Sequence, residues 1–275
     1  MPSLEEIAAG LSAIAPLEFA ADWDNVGLLL EPGPRPTGAP SSAEALVQRV
    51  LLTIELGEAV LDEAIEVGAQ LVVAYHPFIF KGLKRITTSS AEGRILLRAI
   101  DHRLAVYSPH TALDAVVGGV NDWLADALGP GQRRPVEAIP SAPEGTGMGR
   151  WIDLVEPRTL ANLVSDIKAH LALERVRVAA ATPHREGLPI RTAAVCAGAG
   201  GSLLADLHDV DFLLTGEMRH HDVRELTDRG TSVVLCDHTN TERGYLPRYA
   251  ARIRAKWPDL EVNVSHRDRD PLQFS

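Results

Sequence analysis

The sequence predicts an α/β fold in which mostly parallel sheets are arranged as two similar lobes. Short apolar runs rich in β-branched residues recur along the chain, and segments with helical periodicity separate them, an alternation typical of sheets covered by helices. The alternation pauses over residues 129–149, where Pro and Gly are frequent, a composition typical of a linker. We therefore expect an N-terminal lobe over 1–129, a linker and short insertion over 130–190, and a C-terminal lobe over 191–275.

The N-terminal part begins with a helix predicted over residues 4–14. Ser3 and Glu6 stand at the spacing of a capping box, in which the two side chains satisfy backbone N–H groups at the helix start. The stretch EPGPRPTGAPSS at 31–42 is predicted to be a loop because of its Pro, Gly and Ser content. The other predicted elements are strand 27–31, strand 50–55, helix 57–67, strand 70–75, helix 91–101, strand 104–108 and helix 119–128.

The C-terminal part repeats the alternation after a small strand–helix–strand excursion predicted over residues 151–190. In sheets of this kind, ligands collect beyond the carboxyl ends of the strands, so the residues that follow each strand are the ones to examine. The predicted elements are strand 191–198, helix 202–208, strand 211–216, helix 217–229, strand 232–237, helix 241–256 and strand 261–265.

The composition excludes several classes of partner. The chain of 275 residues carries a net charge of −10, whereas nonspecific binding to DNA, RNA or an anionic membrane needs a basic surface. The first residues are acidic where a secretory signal is basic, and no apolar run reaches the roughly 18 residues that span a bilayer. Cys196 and Cys236 lie in apolar runs and are predicted to be small buried hydrophobic residues. These features indicate a cytoplasmic protein that binds a small molecule or a cation.

Histidine and carboxylate residues follow four of the predicted strands. Nitrogen and carboxylate donors without a thiolate favour zinc, manganese, iron(II) or a similar divalent ion. A carboxylate has two oxygens, so Asp114 or Glu242 can bridge two ions. The candidates are His76 after strand 70–75, His110 and Asp114 after strand 104–108, Glu217, His220 and His221 after strand 211–216, and His238 and Glu242 after strand 232–237.

Several candidates also have a purely structural interpretation, which for His76 is a hydrogen bond to a backbone carbonyl. Thr239 and Glu242 match a capping box at the start of the helix predicted over 241–256. Asp114 is a favoured N-cap residue for the helix that follows it. Glu217 could instead favour a helix N-terminus by its charge.

Two stretches near the candidates could hold an anion. AGAGGS at 197–202 lies between a predicted strand and helix, where backbone N–H groups can cradle a phosphate, although the same residues fit a tight turn. KGLKR at 81–85 supplies three cations near His76 that could attract an anionic substrate or simply be solvated. The acidic run at 22–25 is assigned a structural role first and substrate contact second.

Seven segments carry a combined pattern: ADWDNVGLLL, AYHPFIFKGLKRIT, VYSPHTALDAVVGGVNDWLADALG, CAGAGGSLL, LLTGEMRHHD, CDHTNTERGYL and DRDPLQ. Together they resemble the blocks of the NGG-interacting-factor-three-like family over nearly the whole chain, with 130–190 poorly covered. Bacterial members of that family carry a dinuclear metal centre and are often described as GTP cyclohydrolase type 2 homologues.

The resemblance implies a site and an assembly. It implies two similar α/β lobes facing a central metal cleft, which the C-terminal lobe completes, and a homohexamer built as a trimer of dimers. Tyr75 stands where many bacterial members have a first histidine, as in the eukaryotic-like YHP variant, so one donor to a second ion is missing. Water, His110 or Glu217 would then complete that second site. The implied ligands are His76, Asp114, His238 and Glu242, with Glu242 as the bridge.

The function predicted from these residues is that of a metal-dependent hydrolase-like protein with a mono- or dinuclear divalent metal site. Its substrate would be a nucleotide or a small phosphorylated metabolite, and His110 or Glu217 would move the proton, because a histidine beside a metal site is a common proton shuttle. The alternative is a non-catalytic metal-binding oligomer that acts as a regulator, scaffold or metal chaperone.

Overall fold

The computed structural model describes residues 1–33 and 46–272, so most of the loop predicted at 31–42 lies outside the described residues. The chain forms two compact units. The first contains residues 1–113 and 245–271, and the second contains residues 114–244 together with Leu272. Each unit is built around a mixed sheet, which confirms the predicted α/β class.

The first unit has a five-stranded sheet. Its strands are β1 (Gly27–Leu30), β2 (Arg49–Thr53), β3 (Leu71–Ala74), β4 (Ala105–Ser108) and β13 (Glu261–Val264), in the order β1-β4-β3-β2-β13. β1 runs antiparallel to β4, whereas the β4-β3-β2-β13 pairs are parallel. The carboxyl ends of β2, β3 and β4 therefore share one edge, and the residues that follow them lie close together.

Helices cover this sheet as the sequence predicts. They are α1 (Leu4–Ile14), α2 (Glu58–Glu66), α3 (Ala91–Asp101) and α10 (Leu246–Lys256). The capping box of Ser3 and Glu6 at the start of α1 is confirmed. Leu61 of α2 and Ile95 of α3 belong to the same buried cluster as the strand residues Leu51, Val72 and Val106. This apolar layer fixes the strands whose ends carry the candidate histidines.

The second unit has a six-stranded sheet in the order β5-β8-β10-β11-β12-β9. β10, β11 and β12 are parallel to one another, and the outer pairs are antiparallel. The strands are β5 (Gly131–Arg134), β8 (Arg150–Arg158), β9 (Arg177–Ala179), β10 (Ile190–Cys196), β11 (Phe212–Thr215) and β12 (Ser232–Leu235), with a separate ribbon of β6 (Glu137–Ala138) and β7 (Gly147–Met148). The helices are α4 (His110–Ala115), which begins in the first unit, α5 (Val120–Asp126), α6 (Leu160–Leu171), α7 (Thr182–Arg185), α8 (Gly201–Leu204) and α9 (His220–Asp228).

Two local predictions differ from the structure. The stretch 129–149, predicted to be a linker, contains β5, β6 and β7. Its glycines serve pairing rather than flexibility: a Cβ on Gly131 would lie 2.5 Å from a methyl carbon of Ile152 on the neighbouring strand. The C-terminal helix and β13 lie in the first unit, because β13 adds to the edge of the first sheet beside β2. Sequence periodicity carries no information about which sheet a strand joins.

A search of the helices formed by residues 1–33 and 46–272 finds none with the length and apolar character that crossing a lipid bilayer requires.

Candidate metal centre

His76 is held at the end of β3 by the end of β2. Its backbone N–H donates to the Ile54 carbonyl at 3.1 Å, and its Nδ1 lies 2.6 Å from Oε1 of Glu55. Tyr75, buried beside it, accepts a hydrogen bond from Ser108 Oγ through its carbonyl. The carboxylate on Nδ1 holds the imidazole ring in one orientation.

His110 is held in a similar way after β4. It follows Pro109, has a φ of +25°, and begins α4. Its Nδ1 lies 2.8 Å from Oδ1 of Asp24, whose other oxygen accepts from the Thr111 side chain and backbone. Burial alone would raise the pKa of Asp24, but the hydrogen bonds from His110 and Thr111 outweigh it and lower the pKa below the usual value. Asp24 is therefore an anion that orients the imidazole of His110.

The first unit thus brings two of the predicted histidines together. The ring centroids of His76 and His110 are 5.3 Å apart, and the rings are nearly perpendicular. The Tyr75 ring lies 5.1 Å from the first and 5.5 Å from the second. Each histidine has a carboxylate on Nδ1, so this unit presents a pair of oriented imidazoles.

His238, Glu242 and Glu217 come together in the second unit. Asp237 follows β12 with a φ of +62° and pairs with Arg177 at 2.9 Å. This left-handed residue turns the chain sharply before His238. His238 Nε2 then lies 3.4 Å from Oε1 of Glu242, and its Nδ1 lies 3.4 Å from Oε2 of Glu217. A histidine and two carboxylates thus share one location at the ends of β11 and β12.

Gly198 provides the space beside this group. Its φ is +63°, and a Cβ placed on it would lie 2.7 Å from Glu242 Oε1 and 2.8 Å from His238 Nε2. The two donor atoms therefore flank a position that only glycine leaves open.

The glycine-rich turn at 197–202 is a structural turn in which three N–H groups already have acceptors. Backbone N–H groups that already donate within the protein cannot also bind a phosphate. The Ala197 N–H donates to Asn121 Oδ1 at 2.9 Å, and the Gly198 N–H donates to Thr241 Oγ1 at 2.8 Å. The Gly200 N–H donates to Thr215 Oγ1 at 3.0 Å. These contacts favour the turn interpretation of AGAGGS.

The helices begin elsewhere than the cap interpretations of Asp114 and Glu242 require. α10 begins only at Leu246, after two short 3-10 turns. Asp114 lies inside α4, and the N-cap of α5 is Gly119. Neither carboxylate therefore lies at the start predicted for its helix. Glu217 stands three residues before α9 begins at His220.

Asp114 lies in the same unit as the second group. Its carbonyl accepts from Asn121, the residue that also binds the 197–202 turn. Burial raises the pKa of the Cys196 thiol, and the negative charges of Asp114 and Glu242 raise it further. Burial likewise raises the pKa of Cys236 to about 12. Burial therefore disfavours the thiolate form of both cysteines.

Sequence reasoning missed the partners of the two unit 1 histidines. Glu55 was not considered, although it follows β2 in the same way that His76 follows β3. Asp24 was assigned to a packing turn, whereas it binds His110 directly. His220 and His221 start α9, and both are exposed.

Three comparisons relate the chain to known proteins. The model of the family described as Duf34/NIF3 (NGG1p interacting factor 3) matches residues 2–271. The chain is 41% identical to NIF3-like protein 1 of Drosophila melanogaster, covering 98% of this chain and 88% of the fly protein. It is 42% identical to protein NIF3 homolog of Schizosaccharomyces pombe, covering 93% and 92%. The solved structure of a Bacillus cereus protein related to NIF3 shares the fold, with a TM-score of 0.83, 21% identity, and 100% and 99% coverage.

Proposed function

Because the chain belongs to the NIF3 family, we propose that it binds a divalent metal ion and acts as a metal-dependent hydrolase. His76, His238 and Glu242 offer the nitrogen and oxygen donors for such an ion, and Asp114 is the proposed fourth ligand. The observation that carries the proposal is the pair His238 and Glu242, whose donor atoms flank the gap left by Gly198.

The donor set favours zinc, manganese or iron(II). The three clustered donors are two imidazoles and a carboxylate, a set that suits these ions. The negative charges of Asp114 and Glu242 both raise the pKa of the Cys196 thiol. We propose that Glu242 bridges when two ions bind, and that His110 or Glu217 supplies the donor that Tyr75 does not.

His110, whose Nδ1 contacts Asp24, is suited to transfer a proton. When bound, the ion would lower the pKa of water and polarise the scissile bond. Asp24 accepts from Nδ1 of His110, so Nε2 is free of that contact and can take a proton, while the anion stabilises the imidazolium that results. Glu217, in contact with Nδ1 of His238, orients that ring and is the second candidate for proton transfer.

The substrate we propose is a nucleotide or a small phosphorylated metabolite. No acidic residue occurs between His76 and Ala91, although the whole chain has a net charge of −10. Three exposed cations, Lys81, Lys84 and Arg85, lie in that segment. Next to them Phe80 is exposed, with its ring centroid 6.0 Å from that of Trp23, which in turn lies 6.1 Å from the His110 ring. Exposed aromatic rings and cations favour a ligand that has both a ring and a negative charge.

The test combines metal analysis with product release. Glu242→Gln should lose most of its metal while the circular dichroism stays unchanged, because the amide cannot replace a carboxylate ligand. Glu225→Gln is the matched control, since Glu225 is exposed on α9 and pairs with Arg229 at the surface. The metal-loaded protein should release phosphate or ammonia from a panel of nucleotides and sugar phosphates. Unchanged metal content in Glu242→Gln would refute the assignment.

A second candidate function is a non-catalytic metal-binding oligomer that acts as a regulator, scaffold or metal chaperone. The observation that favours it is the family description, which names an interacting factor. We propose a homohexamer in either case, so light scattering should give six times the mass of the chain. A catalytic centre keeps an open coordination position. Exchangeable water on a bound Mn²⁺ would favour the hydrolase, and its absence would favour the second candidate.

A further inference from the structure

We propose that Glu55 is a positioning residue for His76, and that it sets the tautomer and orientation with which His76 binds the metal ion. The inference rests on the proposed function, since it takes His76 to be a ligand. A carboxylate on the second nitrogen of a ligating histidine holds the ring and raises the basicity of the coordinating nitrogen.

The contact is short, and folding stability does not explain it. Nδ1 of His76 lies 2.6 Å from Glu55 Oε1, at the short end of charge-assisted N–H···O hydrogen bonds. The Glu55 side chain is 54% exposed and the His76 side chain only 15%. Half-exposed pairs of this kind contribute at most about 1 kcal/mol to folding. The consequence of the contact is therefore the orientation of the imidazole.

The backbone at the end of β2 supports the contact from three directions. The Thr53 hydroxyl donates to the Glu55 carbonyl at 2.9 Å, and the Ile54 N–H donates to Asp268 Oδ2 at 2.7 Å. The Ile54 carbonyl accepts from the His76 N–H at 3.1 Å. Glu55 and His76 thus follow two paired strands whose positions are fixed. This limits the side-chain conformational entropy that is lost when their side chains form the contact.

The same unit repeats the arrangement at His110. There Asp24 holds Nδ1 at 2.8 Å and is itself fixed by Thr111. Two neighbouring histidines with a carboxylate on the same ring nitrogen show a common geometry. In both, the carboxylate contacts Nδ1 and holds the ring in one orientation.

The decisive experiment measures metal affinity in four variants. Zn²⁺ dissociation constants are obtained by competition with a chromogenic chelator for the wild type, Glu55→Ala, Glu55→Gln and Glu58→Gln. Glu58 is the matched control, because it lies on the same unit and pairs with Arg94 at a comparable exposure. We expect Glu55→Ala to bind about 10- to 100-fold more weakly. Glu55→Gln should fall between the two, since its amide oxygen still accepts from Nδ1, and Glu58→Gln should match the wild type.

A double-mutant cycle separates positioning from direct ligation. In a His76→Ala background, Glu55→Ala should cause no further loss, because Glu55 acts through the ring that has been removed. A further loss would show that Glu55 binds the ion itself and would overturn the positioning role. Equal Zn²⁺ affinity of Glu55→Ala and the wild type would also overturn it.

Failure of the proposed function has a different signature. If His76→Ala binds Zn²⁺ as tightly as the wild type, His76 is not a ligand and the proposed centre itself is wrong. If His76→Ala loses affinity and Glu55→Ala does not, only the present inference fails. Circular dichroism of the metal-free variants shows whether each is folded, and Glu55→Gln keeps the test decisive should Glu55→Ala unfold.

Discussion

The two units present their histidines in different ways. In the first unit, His76 and His110 are held by carboxylates through short contacts of 2.6 and 2.8 Å. In the second, the ring nitrogens of His238 stand 3.4 Å from Glu242 and from Glu217, and a glycine leaves space beside two of those atoms.

This difference separates orientation from coordination. A short contact to Nδ1 fixes a ring but commits that carboxylate to it, as Glu55 and Asp24 show. A contact of 3.4 Å is longer than a strong hydrogen bond between the same groups. A cation between His238 Nε2 and Glu242 Oε1 would replace that weak contact with two bonds. The two histidines of the first unit are thus oriented by short carboxylate contacts, whereas His238 stands farther from Glu242 and Glu217.

The largest effect is expected from filling the gap in the second unit. Gly198→Ala places a methyl group within 3 Å of both His238 Nε2 and Glu242 Oε1, so one of the two donors must move. Metal affinity should fall by more than about 100-fold, beyond the loss expected from removing an outer partner. Competition with a chelator measures it.

The control for Gly198→Ala is Gly187→Ala. Gly187 also has a positive φ, at +99°, but a Cβ there would meet nothing within 4 Å. Gly187→Ala therefore introduces the backbone strain of a positive φ without a steric clash. It should lower the free energy of unfolding and leave metal affinity unchanged. If both variants bind metal like the wild type, the gap beside His238 has no role in coordination.

The next effect concerns the scaffold behind Asp114. Arg150 is 2% exposed, pairs with Asp122, and donates to the carbonyls of Ala115 and Val116. Arg150→Met would leave Asp122 without its buried partner, and removing one member of a buried pair destabilises by about 3–5 kcal/mol. Denaturant unfolding measures this.

Arg224→Met is the comparison for Arg150→Met. Arg224 pairs with Asp228 at 3.8 Å, and both side chains are exposed to solvent. Loss of this ion pair should change the free energy of unfolding by less than about 1 kcal/mol. Equal effects of the two substitutions would mean that the Arg150 network adds nothing to the second unit.

A smaller effect is expected at Asp24 in the first unit. Its lowered pKa means that the anion stabilises the fold at neutral pH, and that this contribution disappears as pH falls below the usual carboxyl range. Asp24→Asn should therefore destabilise at pH 7 by roughly 1.5–3 kcal/mol, as for hydrogen bonds to charged groups. The difference from the wild type should shrink as the solution is acidified. Asp22→Asn, an exposed neighbour, should show no such pH dependence.

The sequence predicts the local parts of this architecture well because they depend on local physics. α1 is marked by a capping box and a periodic apolar face, and β3 ends where Pro77 removes a backbone donor. Residues at strand ends could be identified as candidates since parallel strands share an edge. His76, His238 and Glu242 were all found by this rule.

The missing parts depend on contacts that are distant in sequence. Asp24 lies 86 residues from His110 and Glu55 lies 21 from His76, and no periodic pattern marks such pairs. β13 joins the first sheet through pairing with β2, a choice made by packing. The Pro and Gly of 129–149 indicated a linker, but Gly131 is there because its strand neighbour comes too close for a side chain.

The smallest effect, and the one that most directly sharpens the comparison, concerns Tyr75. The residue is buried and its ring lies beside those of both His76 and His110, so Tyr75→His would add a third imidazole to the first unit. Metal content by elemental analysis should rise towards about two ions per chain, as in paired-ion sites. Tyr75→Phe keeps a ring but offers no nitrogen, and should leave the content unchanged. A rise in the first variant alone would show that the first unit lacks only a donor. Equal content in all three would show that position 75 is not a ligand position.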